Sequence, residues 1–197
     1  MANVEHSTLT GASLHEPKGV AVASSGQVYV ANGSGSGTWT SISTTINPFG
    51  TQLFHVRTEG ASGTAGGTFN AGSYVTRALN TIKTNEISGA SLASNQISLP
   101  AGTYYIVARA CGNAVGAHKA KLRNITDSSD TIVGSVSLTG TNAQTDSWIV
   151  GRFTIGGAKV FELQQRCNVT TVTSGLGAPC SFGDVEVYAD VMIWRIS

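Results

Sequence analysis

The stretch SNQISLPAGTYYIVARA, Ser94–Ala110, decides the fold. Ile97 and Leu99 lie on one side of a short extended run, which Pro100, Ala101 and Gly102 close as a tight turn. The chain resumes with Tyr104, Ile106 and Ala108 on one face and Thr103, Tyr105 and Val107 on the other. A period of two on both sides of a Pro-Ala-Gly turn reads as strand, turn, strand. Nothing in the stretch does chemistry, which raises whether the working parts lie elsewhere or the molecule works as a shape.

The same texture continues in both directions. TQLFHVRTEG sets Leu53, His55 and Arg57 against Phe54 and Val56, and HKAKLRNIT, TIVGSVSLTG, SWIVGRFTI, KVFELQQRC and DVEVYADVMIWRIS follow. Short runs separated by Gly, Asn, Asp or Ser at this spacing predict an antiparallel sandwich or barrel. The nearest approach to a helix, SYVTRALNTIKTN, has too many Thr and β-branched residues to count as one. Composition agrees: 24 Gly among 197 residues supply turns, and only 12% of residues are charged, about half the usual share. A chain of this length buries roughly 70% of its unfolded surface, enough for a real core.

Residues 1–50 are poorer in large apolar groups. Pro17 forces an extended or turning backbone at Glu16, GQVYVANG places Val28 and Val30 opposite Tyr29, and GSGSGTW reads as a linker. Fifty such residues do not bury enough to fold alone and need another copy, a partner or the rest of the chain. The domains expected are therefore an N-terminal segment, 1–50, and a β-domain, 51–197.

The last strand carries the most telling pattern. Val185, Val187, Ala189, Val191 and Ile193 form one apolar face, whereas Glu186, Tyr188, Asp190, Met192 and Trp194 form the other. Large apolar groups thus sit where a sheet normally meets water. Either this strand is buried on both sides within one subunit, or its outer face is covered by further copies of the chain.

The search for chemistry returns little. The net charge is +1 with no basic run, so nucleic acid is not an expected partner. No apolar run approaches the ~20 residues of a spanning helix, so membrane insertion is not expected. The N-terminus lacks the basic-then-apolar pattern of a signal peptide, and synthesis in a cytosol is expected. Cys111, Cys167 and Cys180 are odd in number and lack C-x-x-C spacing, which argues against a disulfide framework and a zinc site. The four histidines, His6, His15, His55 and His118, are scattered, and a triplet on a symmetry axis involving His6 or His15 is the one metal arrangement left open. Asp127 and Asp130 in TDSSD are turn formers first and cation ligands second. GSGSGT lacks the Lys of a phosphate loop. No nucleophile motif and no carboxylate pair stand out, so no catalytic residue, metal or cofactor is expected.

The strings LNTIKTNEISGASLASNQISLPAGTYYIVARA, HKAKLRNITDSS, VGRFTI, KVFELQQRC and SFGDVEVYADVMIWRI resemble, in that order, a β-domain of bacteriophage tail-fibre and other virion proteins. That domain is in turn similar to the C1q/TNF-like jelly roll. The segment EHSTLTGASLHEPKGVAVASSGQVYVANGSGSGTW resembles a short leader of phage virion proteins. The resemblance implies an all-β antiparallel jelly-roll sandwich, homotrimeric, with an extended N-terminal anchor. It implies trimer-interface residues Tyr105, Tyr188, Met192 and Trp194, and an anchor using His6, Leu9, Leu14, His15, Pro17, Val28 and Val30. The implied partners are sister chains, other virion proteins of capsid or tail, and host-surface carbohydrate. The implied place is the virion, assembled in the bacterial host cytoplasm. The expected role is a capsid decoration or a short head- or tail-fibre knob, with a receptor-binding tail tip or a polysaccharide depolymerase as the alternatives. The loop tips expected to be exposed are Asn113–His118, Asp127–Asp130 and Thr173–Pro179.

Overall fold

The computed structural model describes residues 23–34, 37–41 and 52–197. The chain divides into two compact units, Met1–Ile46 and Asn47–Ser197. In the first, β1 (Gln27–Ala31) and β2 (Gly37–Ser41) form an antiparallel hairpin. Tyr29 lies opposite Trp39, with the two rings edge to face at 5.5 Å, an arrangement aromatic pairs favour. Val28 and Val30 lie on the exposed side. His6, Leu9, Leu14, His15 and Pro17 fall outside the described residues.

The second unit is a sandwich of two antiparallel sheets. Its strands are β3 (Gln52–Gly60), β4 (Val75–Thr76), β5 (Thr81–Asn85), β6 (Ser91–Ala93), β7 (Gln96–Leu99), β8 (Gly102–Asn113) and β9 (Ala117–Asn124). They are followed by β10 (Ser129–Leu138), β11 (Gln144–Ile155), β12 (Lys159–Cys167) and β13 (Glu186–Arg195). One five-stranded sheet runs β11-β8-β13-β3-β5. The other runs β10-β9-β12-β7-β6, with β4 paired to β12 as its sixth strand. Apart from the β6–β7 and β9–β10 hairpins, successive strands alternate between the sheets, so each sheet interleaves early and late strands, and this order defines a jelly roll. The expected strand–turn–strand is β7 and β8, on opposite sheets, with the Tyr104 hydroxyl donating to Pro100 O at 2.8 Å to brace the turn. SYVTRALNTIKTN is extended, containing β4 and β5.

Between the sheets the apolar faces meet. Phe54, Val56, Tyr104, Ile106, Ala108, Val191 and Ile193 of one sheet close on Ile97, Leu99, Leu122, Phe161 and Leu163 of the other. Tyr104 stacks on Phe153 at 5.4 Å, and Phe153 meets Phe161 across the sandwich at 5.5 Å. Each such ring contributes about 1.5–3 kcal/mol by leaving water. A smaller cluster of Phe69, Val115 and Cys167 seals one end.

Beside that cluster runs a buried polar layer. Gln165 Nε2 donates to Ala110 O, to Cys111 O and to His118 Nδ1 at 2.9 Å. His118 is therefore neutral with its proton on Nε2, which donates to Thr145 Oγ1 at 3.0 Å. Burial pulls this imidazole below its ordinary value; Asp146 opposes the shift and Arg77 reinforces it. Arg77, 2% exposed, donates from Nη2 to Leu176 O and Tyr188 O, tying the 170s loop to β13. Burial lowers its pKa as well. Cys111 and Cys167 are buried free thiols pushed up by burial, and Cys180 is an exposed free thiol.

Candidate functional site

The sandwich has two outer faces, and they differ in chemistry. On the six-stranded sheet the outward side sets ion pairs beside exposed Val133, Val136 and Leu138 of the edge strand β10. Lys121 and Arg123 of β9 both reach Asp130 of β10 at 2.9 Å, and Lys159 of β12 reaches Asp127 at 2.6 Å. Those bonds use the two carboxylates considered for a cation, and they hold the Asp130 carboxyl below its ordinary range, Lys121 contributing most.

On the five-stranded sheet the registers line up a different set. Arg152 of β11 pairs with Tyr105 of β8, Tyr105 with Trp194 of β13, and Trp194 with Leu53 of β3. In the next row Val150 pairs with Val107, Val107 with Met192, and Met192 with His55. Trp148 stands in the row beyond, opposite Arg109. Alternation sends all of these away from the core, because their neighbours Tyr104, Ile106, Ile149, Ile193 and Phe54 fill it. Trp148 is 45% and Val150 53% exposed. The outer face thus carries a continuous band of aromatic and apolar side chains across four strands.

The band is bordered by paired polar side chains. His55 Nε2 and Asp190 Oδ1 lie 2.5 Å apart, Arg109 meets Asp146 at 3.2 Å, and Glu59 is held between Arg57 and Lys83. An apolar centre is thus ringed by paired polar side chains.

Of the four residues expected at an interface, Tyr105, Met192 and Trp194 share this band, half-buried. Tyr188 does not. A β-bulge between Val187 and Ala189 places Val187 opposite Glu59 and Ala189 opposite Thr58, leaving Tyr188 as the extra residue. Its ring, 3% exposed, lies against Gly177, and its hydroxyl donates to Thr64 O at 2.6 Å. Burial, with Glu186 adding to it, pushes this phenol up to about 12. Tyr188 is a core anchor of the subunit, and the face reading of it is corrected.

The bulge also reverses the parity of the residues before it. Val185, expected in the core, is 54% exposed. Glu186, expected outside, is buried and accepts from three backbone amides: Cys180, Ser181 and Gly63. These amides hold its carboxyl below the ordinary value.

Two further carboxylates are also engaged in structure. Glu162 accepts from Thr76, Gln96 and Gln164, and Glu86 accepts from the Leu53 amide. Among the described residues no three His, Cys, Asp or Glu side chains gather as metal ligands. No helix of the described residues is long and apolar enough to cross a membrane.

No protein-family model matches the chain, and no curated protein matches it. Solved structures do. Murine APRIL at pH 8.0 is similar over 73% of this chain and 98% of its own, with TM-score 0.48 and 9% identity. The globular domain of zebrafish complement 1qA protein is similar over 75% of this chain and 98% of its own, with TM-score 0.46 and 14% identity. These are likenesses of architecture, and the jelly-roll assignment rests on the strand order and registers described above.

Proposed function

We propose that the chain is a homotrimeric structural head with no reaction of its own, its five-stranded sheet turned toward sister chains about a three-fold axis. The observation that carries this is the apolar band of Leu53, Tyr105, Val107, Val150, Met192 and Trp194 on a sheet face that would otherwise meet water. On the other outer face the exposed apolar side chains Val133, Val136 and Leu138 are confined to the edge strand β10 beside ion-paired Lys121 and Arg123, and that is the side we assign to solvent. A closed three-fold arrangement buries the same patch of every copy and leaves no patch over for open-ended growth.

The finer reading is a virion structural protein: a capsid decoration or short fibre knob, attached through residues 1–50 and presenting the jelly roll toward host-surface carbohydrate. Its support is the resemblance of both chain segments to phage virion proteins, together with a head that keeps itself soluble through hydroxyls and backbone more than through charge.

The mass in solution tests the first part. The native protein is expected at three times 20.3 kDa. Met192→Glu is expected to sediment as a monomer with an unchanged β-type circular dichroism spectrum, because a charge in the band is left unpaired in the assembly. A wild-type monomer at micromolar concentration overturns the reading. Labelling purified particles tests the second part: the protein is expected on the particle, and a version without residues 1–37 is expected to trimerise yet stay off it.

A further inference from the structure

A cleft of about 620 Å³ opens on the six-stranded sheet, lined among others by Tyr74, His118, Lys119, Val136, Arg166 and Asn168. Lys119 of β9 and Arg166 of β12 are direct partners in the antiparallel register. Like charges placed directly opposite on neighbouring strands repel and weaken the pairing. The other two cations of β9, Lys121 and Arg123, share the Asp130 carboxylate. Lys119 and Arg166 have no ion pair among the described residues, and no Asp or Glu lines the cleft. Two unneutralised cations thus stand side by side at a concavity of ligand size, since small-molecule sites span about 300–1,000 Å³.

The rest of the lining limits what kind of anion fits. Tyr74 contributes an aromatic ring whose orientation is fixed by the Lys121 ammonium, 3.9 Å from its centroid. Val136, 75% exposed, and Ala71 and Ala117 add apolar wall, and Asn168 adds an amide. An aromatic ring and aliphatic wall suit the C–H faces of a pyranose, an amide suits its hydroxyls, and paired cations suit one anionic substituent.

We infer that this cleft binds an anionic saccharide unit, its carboxylate or sulfate held between Lys119 and Arg166 and its ring against Tyr74. This deepens the carbohydrate part of the function proposed above. It stands on one subunit, so a lost trimer and a lost ligand are separate outcomes. In a trimer the cleft is repeated three times, and weak single contacts add through avidity on a repetitive polymer.

Titration of the full chain, followed by amide and side-chain NMR shifts, tests this with three disaccharides: one carrying glucuronate, one carrying sulfate esters, and neutral maltose. Binding of either anionic probe with shifts at Tyr74, Lys119 and Arg166 is expected, with a dissociation constant of order 1 mM or below. Which anionic probe binds more tightly distinguishes carboxylate from sulfate. Arg166→Gln and Lys119→Gln are each expected to weaken binding at least about fivefold. Both are also expected to hold or raise the melting temperature, because each relieves the facing charges. Arg152→Gln, on the five-stranded face, is expected to leave saccharide affinity unchanged, whatever it does to the trimer. Equal affinity for maltose, shifts confined to another surface, no binding of either anionic probe at about 10 mM, or full binding by the Lys119→Gln/Arg166→Gln double variant each overturns the inference. The wild-type shift map decides the matter should a variant fail to fold.

Discussion

At the scale of single residues, Gly177 and Tyr188 show how little room the loop layer has. A Cβ on Gly177 would stand 1.9 Å from Tyr188 Cδ1, at a backbone φ of +148° that side chains rarely adopt. Gly177→Ala is expected to cost at least about 2 kcal/mol, read as a shift of the urea midpoint with unchanged slope. Titration marks other residues. Below its ordinary value near 6.5, His118 stays neutral in the fold while the unfolded chain takes up a proton. Stability from this group is therefore complete above that pH and falls as pH drops through the folded value. Glu186 behaves the same way lower down, its contribution falling as pH drops below 4.5. Tyr188 acts at the alkaline end: its raised phenol holds its proton while the unfolded chain loses one, so stability declines between pH 10 and about 12. Tyr188→Phe is expected to flatten that alkaline decline in thermal melts, while costing about 1 kcal/mol at neutral pH for the lost bond to Thr64.

At the scale of elements, the strands were legible because their residues alternate. Phe54 and Val56 against Leu53, His55 and Arg57, and Tyr104, Ile106 and Ala108 against Tyr105 and Val107, have the faces their spacing implies. The bulge in β13 was not legible. It turns on backbone pairing with Thr58 and Glu59, more than a hundred residues earlier, and period-two reading carries Tyr188 past it onto the wrong face. Arg77 and Gln165 gave no signal either, since a buried polar side chain looks like a surface one until its partners Leu176, Tyr188 and Ala110 are known. The basic cleft needed the register that sets Lys119 opposite Arg166, residues far apart in the chain. Within the elements, Phe161 is the ring joining the sheets, and Phe161→Ala is expected to cost about 3–5 kcal/mol by denaturant titration, with the strand content of the survivors unchanged.

At the scale of the whole molecule, the closing of the five-stranded sheet has a consequence for biosynthesis. β13 lies between β8 and β3, and His55 meets Asp190 across 135 positions of chain. Until Glu186–Arg195 emerges from the ribosome, β3 has only β5 and β8 only β11, and the edges that β13 will join stay bare. Such topologies fold slowly, because long loops must close before any contact rewards them. An unfinished chain therefore waits with its stickiest backbone uncovered, and a nonsense mutation anywhere before β13 should yield inclusion bodies, not a smaller soluble product.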